Sequence, residues 1–282
     1  MQTGKKQWSL DTTNQTLKEF AKLVNGDKAA RKVRKNEPLK VGVDLGTSSI
    51  VLTVLDQHDQ PLYGAFEYAK VVRDGIVVDY IGSIQILKRL KAQAENVLGQ
   101  TLTSACGAIP PGTGENSANV VANVIEATEM EAKEIVDEPT AAAKFLRLTT
   151  GTVVDIGGGT TGISVFKQKR LVKVVDEPTG GSHMTLVLAG YHHIPADDAE
   201  LMKRDPKKDS ANFPIIRPVV EKMATITKNV MATQLAEPVI VVGGATNFKD
   251  FVKAFSHTLG RSALKPAFPQ FVTPLGIAMY DK

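Results

Sequence analysis

Cysteine is almost missing from this sequence, since Cys106 is the only one in 282 residues. A single cysteine excludes an intrachain disulfide, and a reducing cytoplasm is then the natural compartment. Long apolar runs are missing as well, and no apolar core follows the N-terminal pair Lys5 and Lys6. We therefore expect a cytoplasmic protein with neither a membrane-spanning helix nor a signal peptide.

Two common nucleotide-binding fingerprints are also missing. No G-x-G-x-x-G sequence opens a helix after a strand, and no G-K-[ST] sequence occurs. These absences exclude a Rossmann dinucleotide site and a P-loop. His192 and His193 precede Asp197 and Asp198 without the spacing of metal ligands, which indicates a solvated loop.

An excess of charge of either sign is lacking in the body of the chain, although the formal net charge of the whole chain is +4. Residues 1–40 contain 10 Lys or Arg and 4 Asp or Glu, whereas residues 41–282 contain 24 and 26. The excess of positive charge therefore belongs to an N-terminal arm. A near-neutral body does not support nucleic-acid binding, so we expect no nucleic-acid partner.

From residue 39 onward, β-branched runs alternate with segments of helical periodicity, which is typical of an α/β protein. One pattern occurs twice: an apolar strand, Asp, an apolar residue, Gly, a hydroxyl-rich turn and a second strand. The first copy has strands at 39–44 and 50–55, and the second has strands at 152–155 and 163–167. The internal repeat predicts two related lobes.

The two turns predict a phosphate site. Glycine lets backbone approach a ligand closely, and successive N–H groups in a turn bind anionic oxygens. Each turn follows a carboxylate, Asp44 or Asp155, that would repel phosphate unless Mg²⁺ lay between them. The candidate phosphate-binding residues are Gly46, Thr47 and Ser48 in the first turn and Gly157, Gly158, Gly159 and Thr160 in the second.

Four ordered segments resemble motifs of the superfamily of actin, sugar kinases and DnaK-type chaperones. Residues 41–55 resemble its first phosphate motif, 135–143 its connecting motif, 153–165 its second phosphate motif and 239–247 its adenosine motif. The resemblance covers about residues 39–282 and implies ATP or ADP bound with Mg²⁺, held by Asp44 and Asp155.

More specific likenesses lie between these motifs. Gly75 to Asp79, which follow Arg73 and Asp74, resemble the bacterial actin-like branch. The whole chain most resembles the compact, chaperone-like ethanolamine-utilisation family that is encoded with bacterial microcompartment proteins. Residues 72–77, 108–113 and 180–184 carry that second resemblance.

The resemblance implies roles for single residues. Glu138 would position the attacking water, Asp155 would orient that water beside Mg²⁺, and Thr160 would face the γ-phosphate. Gly180 and Gly181 would form the turn beside the phosphates. Glu200 and Lys203 would bracket ribose and adenine, and Gly243 and Gly244 would lie against adenine.

Plainer interpretations of these residues stay open. Glu138 also suits a helix N-terminus, where the dipole favours a carboxylate, and Glu200 with Lys203 suits a surface helix pair. The chaperones' catalytic lysine lies in a region that is short here, and neither Lys70 nor Lys88 has a matching motif. We expect no peptide-binding domain, no lid and no full filament-forming inserts of actins, so nucleotide binding is better supported than fast hydrolysis.

The expected fold is α/β, with two actin-like (ribonuclease H-like) lobes and a nucleotide cleft between them. The expected units are a basic arm at 1–38, lobe I at 39–150 completed by 266–282, and lobe II at 151–265. Residues 11–25 of the arm favour a short helix with Leu17, Phe20, Ala21 and Val24 on one face. That face suits packing on the body or docking on a microcompartment shell, with disorder as a third alternative.

The favoured function is an ATP-binding, chaperone-like protein, a slow Mg²⁺-dependent ATPase that assists enzymes of ethanolamine catabolism or their microcompartment shell. One alternative is a non-catalytic, actin-like scaffold similar to pilus-assembly members. A small-molecule kinase is a weaker alternative, because no sugar-binding insert or substrate-base aspartate is visible.

Overall fold

The computed structural model describes residues 8–73, 76–232, 234 and 236–282. Several sequence predictions fall outside those ranges. They are the basic pair Lys5 and Lys6, residues Asp74 and Gly75 of the actin-like signature, and Thr233 at the predicted end of a long helix.

The strands and helices follow one another in an alternating α/β order. The strands are β1 (Leu39–Leu45), β2 (Ser49–Asp56), β3 (Pro61–Tyr68), β4 (Val72–Arg73), β5 (Ile76–Val77), β6 (Ser104–Ile109), β7 (Glu131–Asp137), β8 (Gly151–Ile156), β9 (Thr161–Lys167), β10 (Arg170–Glu177), β11 (Val239–Val242) and β12 (Ala263–Leu264). The α-helices are α1 (Asp11–Leu23), α2 (Tyr80–Leu98), α3 (Gly114–Glu126), α4 (Glu138–Phe145), α5 (Gly181–His192), α6 (Ala196–Arg204), α7 (Asp209–Met231), α8 (Phe251–Leu259) and α9 (Val272–Ala278). Short 3-10 helices lie at Pro206–Lys208, Gly244–Thr246 and Pro269–Phe271.

Two five-stranded sheets have the same internal organisation. Sheet I has the strand order β3-β2-β1-β6-β7, and sheet II has the order β10-β9-β8-β11-β12. In each sheet the first three strands are antiparallel and the other two run parallel to the central strand. The shared topology confirms the repeat and the α/β class predicted from the two hairpins.

Local signals explain the helices that the sequence predicts well. The Asp79 side chain caps α2 by accepting a 2.8 Å hydrogen bond from the Gly82 amide. The same helix ends at Gly99, which has a φ of 66° and lies in the left-handed region that glycine favours. Helical periodicity in the sequence predicts helices at 196–204 and 216–233, and α6 has the bounds of the first.

Other elements differ from the prediction. The outer strands β3 and β10, which complete the two antiparallel halves, were not predicted. Strand β3 starts at a proline and is buried over its first five residues, so it lacks the alternation of a half-exposed strand. Helix α7 begins at Asp209 rather than near Ile216, and it includes Pro214 and Pro218. Prolines normally disfavour a helix interior, so tertiary packing outweighs propensity here.

A hydrophobic core joins the two sheets. It includes Leu55 of β2, Val153 of β8 and side chains of the mutually packed helices α4 and α9. Leu17 and Phe20 of α1 are fully buried in the same core. The helical face of the arm therefore packs on the body, which leaves its two largest apolar side chains unavailable for docking on a shell.

The N-terminal arm is also joined to the body by hydrogen bonds. The Trp8 indole N–H donates to the Leu146 carbonyl at 3.0 Å, and Asn14 Oδ1 accepts from the Ala267 amide at 2.7 Å. Trp8 and helix α1 thus bind two segments of the body that lie far apart in the sequence. The unit boundaries at 38, 150 and 265 stay predictions, while the strands of sheet I come from residues 39–137 and those of sheet II from 151–264.

The chain after α1 runs along the outer edge of β3. The Asn25 amide donates to the Gly64 carbonyl and the Ala30 amide to the Leu62 carbonyl, at 2.8 and 2.9 Å. The Asn25 side chain also exchanges two 2.8 Å hydrogen bonds with the backbone of Phe66. In the described ranges, no helix combines the length and the apolar character that crossing a membrane requires.

Candidate functional site

The two repeated hairpins place their carboxylates in equivalent positions. Asp44 is the next-to-last residue of β1, and Asp155 is the next-to-last residue of β8. The first turn closes by a 2.9 Å hydrogen bond from the Gly46 amide to the Ser49 carbonyl. The second closes by a 3.1 Å bond from the Gly157 amide to the Thr160 carbonyl. The sequence repeat is therefore also a repeat of local geometry.

The two turns meet face to face. A Cβ atom built on Gly158 would lie 2.1 Å from Ser48 Oγ and 3.2 Å from Thr47 Cβ. A side chain at position 158 would therefore require the Ser48 side chain to move. This close approach brings together two motifs that are more than one hundred residues apart in the chain.

A cleft with a volume of about 430 Å³ surrounds this meeting point. It is lined by nearly all the residues that the sequence singles out. These are Asp44, Gly46, Thr47, Ser48, Glu138, Asp155, Gly157, Gly158, Gly159, Thr160, Gly181, Glu200, Lys203, Gly243 and Gly244.

Gly180 differs from Gly181 in its position relative to the second turn. Its backbone packs behind the second turn, against the backbone of residues 158–160, and it does not line the cleft. The first amides of α5 donate to the same turn, from Gly181 to the Gly157 carbonyl at 2.9 Å and from Ser182 to the Gly158 carbonyl at 2.8 Å. The start of α5 therefore supports the turn from behind.

Glu138 enters the cleft from the first position of α4. The preceding Asp137 caps that helix by accepting a 2.9 Å hydrogen bond from the Thr140 amide, so the two adjacent carboxylates have separate tasks. Burial, reinforced by the nearby carboxylates Asp44 and Asp155, raises the pKa of Glu138 well above its ordinary value.

The pKa values of Asp44 and Asp155 are raised as well. Burial, with Asp155 as a second cause, raises the pKa of Asp44 to about 7. Burial also raises the pKa of Asp155, although a 2.7 Å hydrogen bond from Thr273 Oγ1 partly offsets the effect. Ionising all three carboxyl groups together is therefore unfavourable, and a divalent cation would offset that cost.

The donor set fits Mg²⁺ better than a metal that prefers nitrogen or sulfur. All three groups are carboxylates, and they lie beside glycine turns that leave room for phosphate. Within the described ranges, no three His, Cys, Asp or Glu side chains converge as direct ligands, and this includes His192 and His193. Mg²⁺ usually keeps several waters and binds through one or two carboxylates plus phosphate, so such a set is compatible with it.

Glu200 is the centre of a charged network on the wall of the cleft. Its carboxylate accepts hydrogen bonds from Lys203 Nζ and Arg204 Nε, both at 2.7 Å, and from the Thr185 hydroxyl. Burial opposes ionisation, but these partners outweigh it and lower the pKa of Glu200. Glu200 and Lys203 are mostly buried, with 17% and 11% of their side chains exposed, so they are no ordinary surface helix pair.

The loop of Gly243 and Gly244 forms the far end of the cleft. Gly243 has a φ of 89°, and a Cβ there would lie 2.3 Å from the Ile156 carbonyl oxygen. Its amide donates to the Pro269 carbonyl at 3.0 Å. Only glycine suits this close passage beside the end of β8.

Sequence reasoning missed several residues at the cleft, among them Arg204, Tyr68 and Thr273. Arg204 follows Glu200 by four positions, a spacing that signals a helix pair, and its guanidinium lies 3.7 Å from the centre of the Tyr68 ring. Tyr68 and Thr273 belong to no motif and reach the cleft through tertiary packing. No local signal marks them.

The paired sheets and facing hairpins define a protein of the actin-like ATPase fold. The cell division protein FtsA family model matches residues 152–276, and the Hsp70 protein model matches residues 80–184. Among solved structures, MreB 5 of Spiroplasma citri bound to AMPPNP shares the fold, with a TM-score of 0.65 at 15% identity over 84% of this chain and 94% of that one.

Closer similarity narrows the class to one family. The ethanolamine utilization protein EutJ of Salmonella typhimurium is 38% identical over 93% of this chain and 91% of its own length. The crystal structure of EutJ from Carboxydothermus hydrogenoformans has a TM-score of 0.92 and 44% identity, covering 96% of this chain and all of that one. The chain belongs to the EutJ family, which confirms the resemblance found in its sequence.

Proposed function

We propose that this protein binds Mg-ATP and Mg-ADP in the cleft and uses nucleotide turnover to change the angle between its two sheets. The observation that carries the proposal is the contact between Gly158 and Ser48, which brings both phosphate turns and their carboxylates to one point. A nucleotide whose phosphates bridge both turns would hold the lobes together. Loss of the γ-phosphate would then weaken one of those links.

Specific residues have distinct tasks in this proposal. The turns at 46–48 and 157–160 would bind phosphate oxygens, and Asp44 and Asp155 would hold Mg²⁺. Bound Mg²⁺ would neutralise phosphate charge and polarise the reacting phosphoryl group. Glu138 positions the attacking water, and Thr160 faces the γ-phosphate. Glu200 and Lys203 contact the ribose and adenine, while Gly243 and Gly244 lie against the base.

The family similarity supports a proposal for the biological role. We infer that the protein is a cytoplasmic, chaperone-like factor that associates with ethanolamine-catabolism enzymes or with microcompartment shell proteins. The similarity to the Hsp70 model over residues 80–184 supports the chaperone-like part, and the EutJ family supports the ethanolamine part. Association of purified protein with a purified candidate enzyme or shell protein, measured by analytical ultracentrifugation with ATP and with ADP, tests this role. Equal association in both nucleotides would contradict ATP regulation.

Calorimetric titration with Mg-ATP tests the nucleotide site directly. The wild-type chain is expected to bind, and the double change Asp44→Asn with Asp155→Asn is expected to remove the part of the affinity that depends on Mg²⁺. The exposed change Asp27→Asn serves as a control for loss of one carboxylate. Failure of the folded wild-type protein to bind Mg-ATP would refute the proposal.

A second function, a non-catalytic nucleotide-binding scaffold, is favoured by one observation. Among the described residues that line the cleft, the basic ones are Lys203 and Arg204, and both bind Glu200. The lysine in the described cleft lining is therefore already paired with a carboxylate, and it is not available to stabilise the transferring phosphoryl group. Steady-state phosphate release separates the two functions: a slow ATPase releases phosphate above background, and a scaffold does not.

A further inference from the structure

Thr273 contacts the cleft from outside the recognised motifs. It lies in α9 with 6% of its surface exposed, and its Oγ1 donates to Asp155 Oδ2 at 2.7 Å. The two residues are 118 positions apart in the chain. A buried hydroxyl that donates to a carboxylate fixes the plane in which the carboxylate oxygens lie.

The second oxygen of Asp155 is confined as well. A Cβ built on Gly243 would lie 2.5 Å from Asp155 Oδ1, so this oxygen packs directly beside the Gly243 backbone. Gly243 in turn donates its amide to the Pro269 carbonyl. Residues 269–273 therefore hold both the carboxylate at the end of β8 and the glycine loop beside it.

The segment 269–273 is itself firmly anchored. Phe271 is 6% exposed, and its ring packs edge-on against Phe20 of α1 and Phe66 of β3, at centroid distances of 5.3 and 6.4 Å. An anchored segment presents the Thr273 hydroxyl in one place. The orientation of Asp155 is thus set by packing that reaches from the N-terminal helix to the cleft.

We propose that Thr273 is a positioning residue that holds the Asp155 carboxylate in the orientation needed for Mg²⁺-linked phosphate binding. This inference rests on the proposed nucleotide function and extends it to a residue outside the motifs. Hydrogen-bonding partners of metal-linked carboxylates fix the orientation of those carboxylates, and their loss typically lowers metal affinity by about 10- to 100-fold. In this proposal Thr273 acts through its hydrogen bond to Asp155.

Two substitutions separate the hydroxyl from the rest of the side chain. Thr273→Val keeps the volume and removes the donor, whereas Thr273→Ser keeps the donor and removes a methyl group. Thr227→Val is the matched control, because Thr227 is also buried, donates one hydrogen bond to the Met223 carbonyl and lies away from the cleft lining. Each variant is titrated with ATP in the presence of Mg²⁺ and of a chelator, and its unfolding midpoint is measured without nucleotide.

The inference predicts an order of effects that a purely structural role would not produce. Thr273→Val should weaken Mg-ATP binding by about 10- to 100-fold while leaving metal-free ATP binding nearly unchanged. Thr273→Ser should restore Mg-ATP binding even if its unfolding midpoint falls, and Thr227→Val should bind as the wild type does. Equal Mg-ATP affinity of Thr273→Val and wild type would overturn the inference alone. Absence of Mg-ATP binding by the wild type would overturn the proposed function, and this inference with it.

Discussion

At the scale of single residues, Glu138 owes its position to two adjacent features. Strand β7 ends at Asp137, which caps the following helix, and the next residue then points its carboxylate into the cleft. Burial and the nearby carboxylates raise its pKa, which suits a group that accepts a hydrogen bond or a proton from water near neutral pH.

Replacing Glu138 tests its predicted role in hydrolysis. Glu138→Gln keeps the size of the side chain and removes the carboxylate, so it should lower phosphate release by about 10²- to 10⁴-fold while sparing Mg-ATP binding. Glu134→Gln, on the exposed part of β7, is the matched control. Unchanged phosphate release by Glu138→Gln would remove the role, while the proposed nucleotide site would stand.

Asp56 is a second informative residue, because it links the basic segment after α1 to sheet I. Its Oδ1 accepts from the amides of His58 and Gln60 at 2.8 and 3.0 Å, and its Oδ2 lies 3.2 Å from the Arg31 guanidinium. Burial opposes ionisation, but these donors outweigh it and hold the pKa of Asp56 below its ordinary value. The basic run is therefore tied to the body at this point.

Asp56 should contribute to stability in a pH-dependent way. Because its pKa is lower in the folded chain than in the unfolded chain, the contribution is complete above the unfolded pKa of about 4 and is lost as pH falls through the folded value. Asp56→Asn should lower the free energy of unfolding by about 1–3 kcal/mol at pH 7, and the difference from wild type should shrink below about pH 4. Urea denaturation across pH measures this, with Asp27→Asn as the control. A difference that stays constant with pH would contradict the assignment.

At the scale of elements, local patterns account for the parts that were predicted. Strand runs and turn residues predict both hairpins. Helical spacing predicts the connecting helix α4 and helix α6. Strands β3 and β10 were not predicted from the sequence. Strand β3 is covered on both faces, and β10 is an edge strand rich in charged residues. Thr273 and Tyr68 were not predicted as cleft residues because only the tertiary fold brings them to the cleft.

Helix α1 is the element whose role changes most between sequence and structure. Phe20 is fully buried, packs against Phe271 and fills the space above Gly64. Phe20→Ala should therefore lower the free energy of unfolding by about 3–5 kcal/mol, measured by urea denaturation. The exposed Lys18→Ala on the same helix should change it by less than about 0.5 kcal/mol. A small effect of Phe20→Ala would mean that the arm is separable from the body after all.

At the scale of the whole molecule, two contacts join the sheet I side of the cleft to α6. The Arg204 guanidinium lies over the Tyr68 ring at 3.7 Å, and Lys70 pairs with Asp197. The ion pair is highly exposed, with 70% and 78% of the two side chains accessible, so it contributes little. The Tyr68–Arg204 contact is the stronger link between the two sides and involves a residue that also binds Glu200.

Loss of the Tyr68 ring should favour an open cleft. Tyr68→Ala is expected to speed release of bound ADP by about two- to fivefold, which corresponds to a cation–π contact of about 0.5–1 kcal/mol. Displacement of a fluorescent ADP analogue in a stopped-flow instrument measures the rate. Lys70→Ala should leave it nearly unchanged, and an equal or larger effect of that control would assign closure to the ion pair instead.

The hydrogen bonds between residues 25–30 and β3 have a further consequence for how copies of this chain meet. β3 is the outermost strand of sheet I, and the carbonyls of Leu62, Gly64 and Phe66 and the amide of Phe66 are all occupied by the segment that follows α1. An unoccupied strand edge is a template onto which a second molecule adds its own strand. The N-terminal segment therefore protects this strand edge from pairing with a second molecule. A chain that began at β1 would expose the edge of β3 and should aggregate more readily.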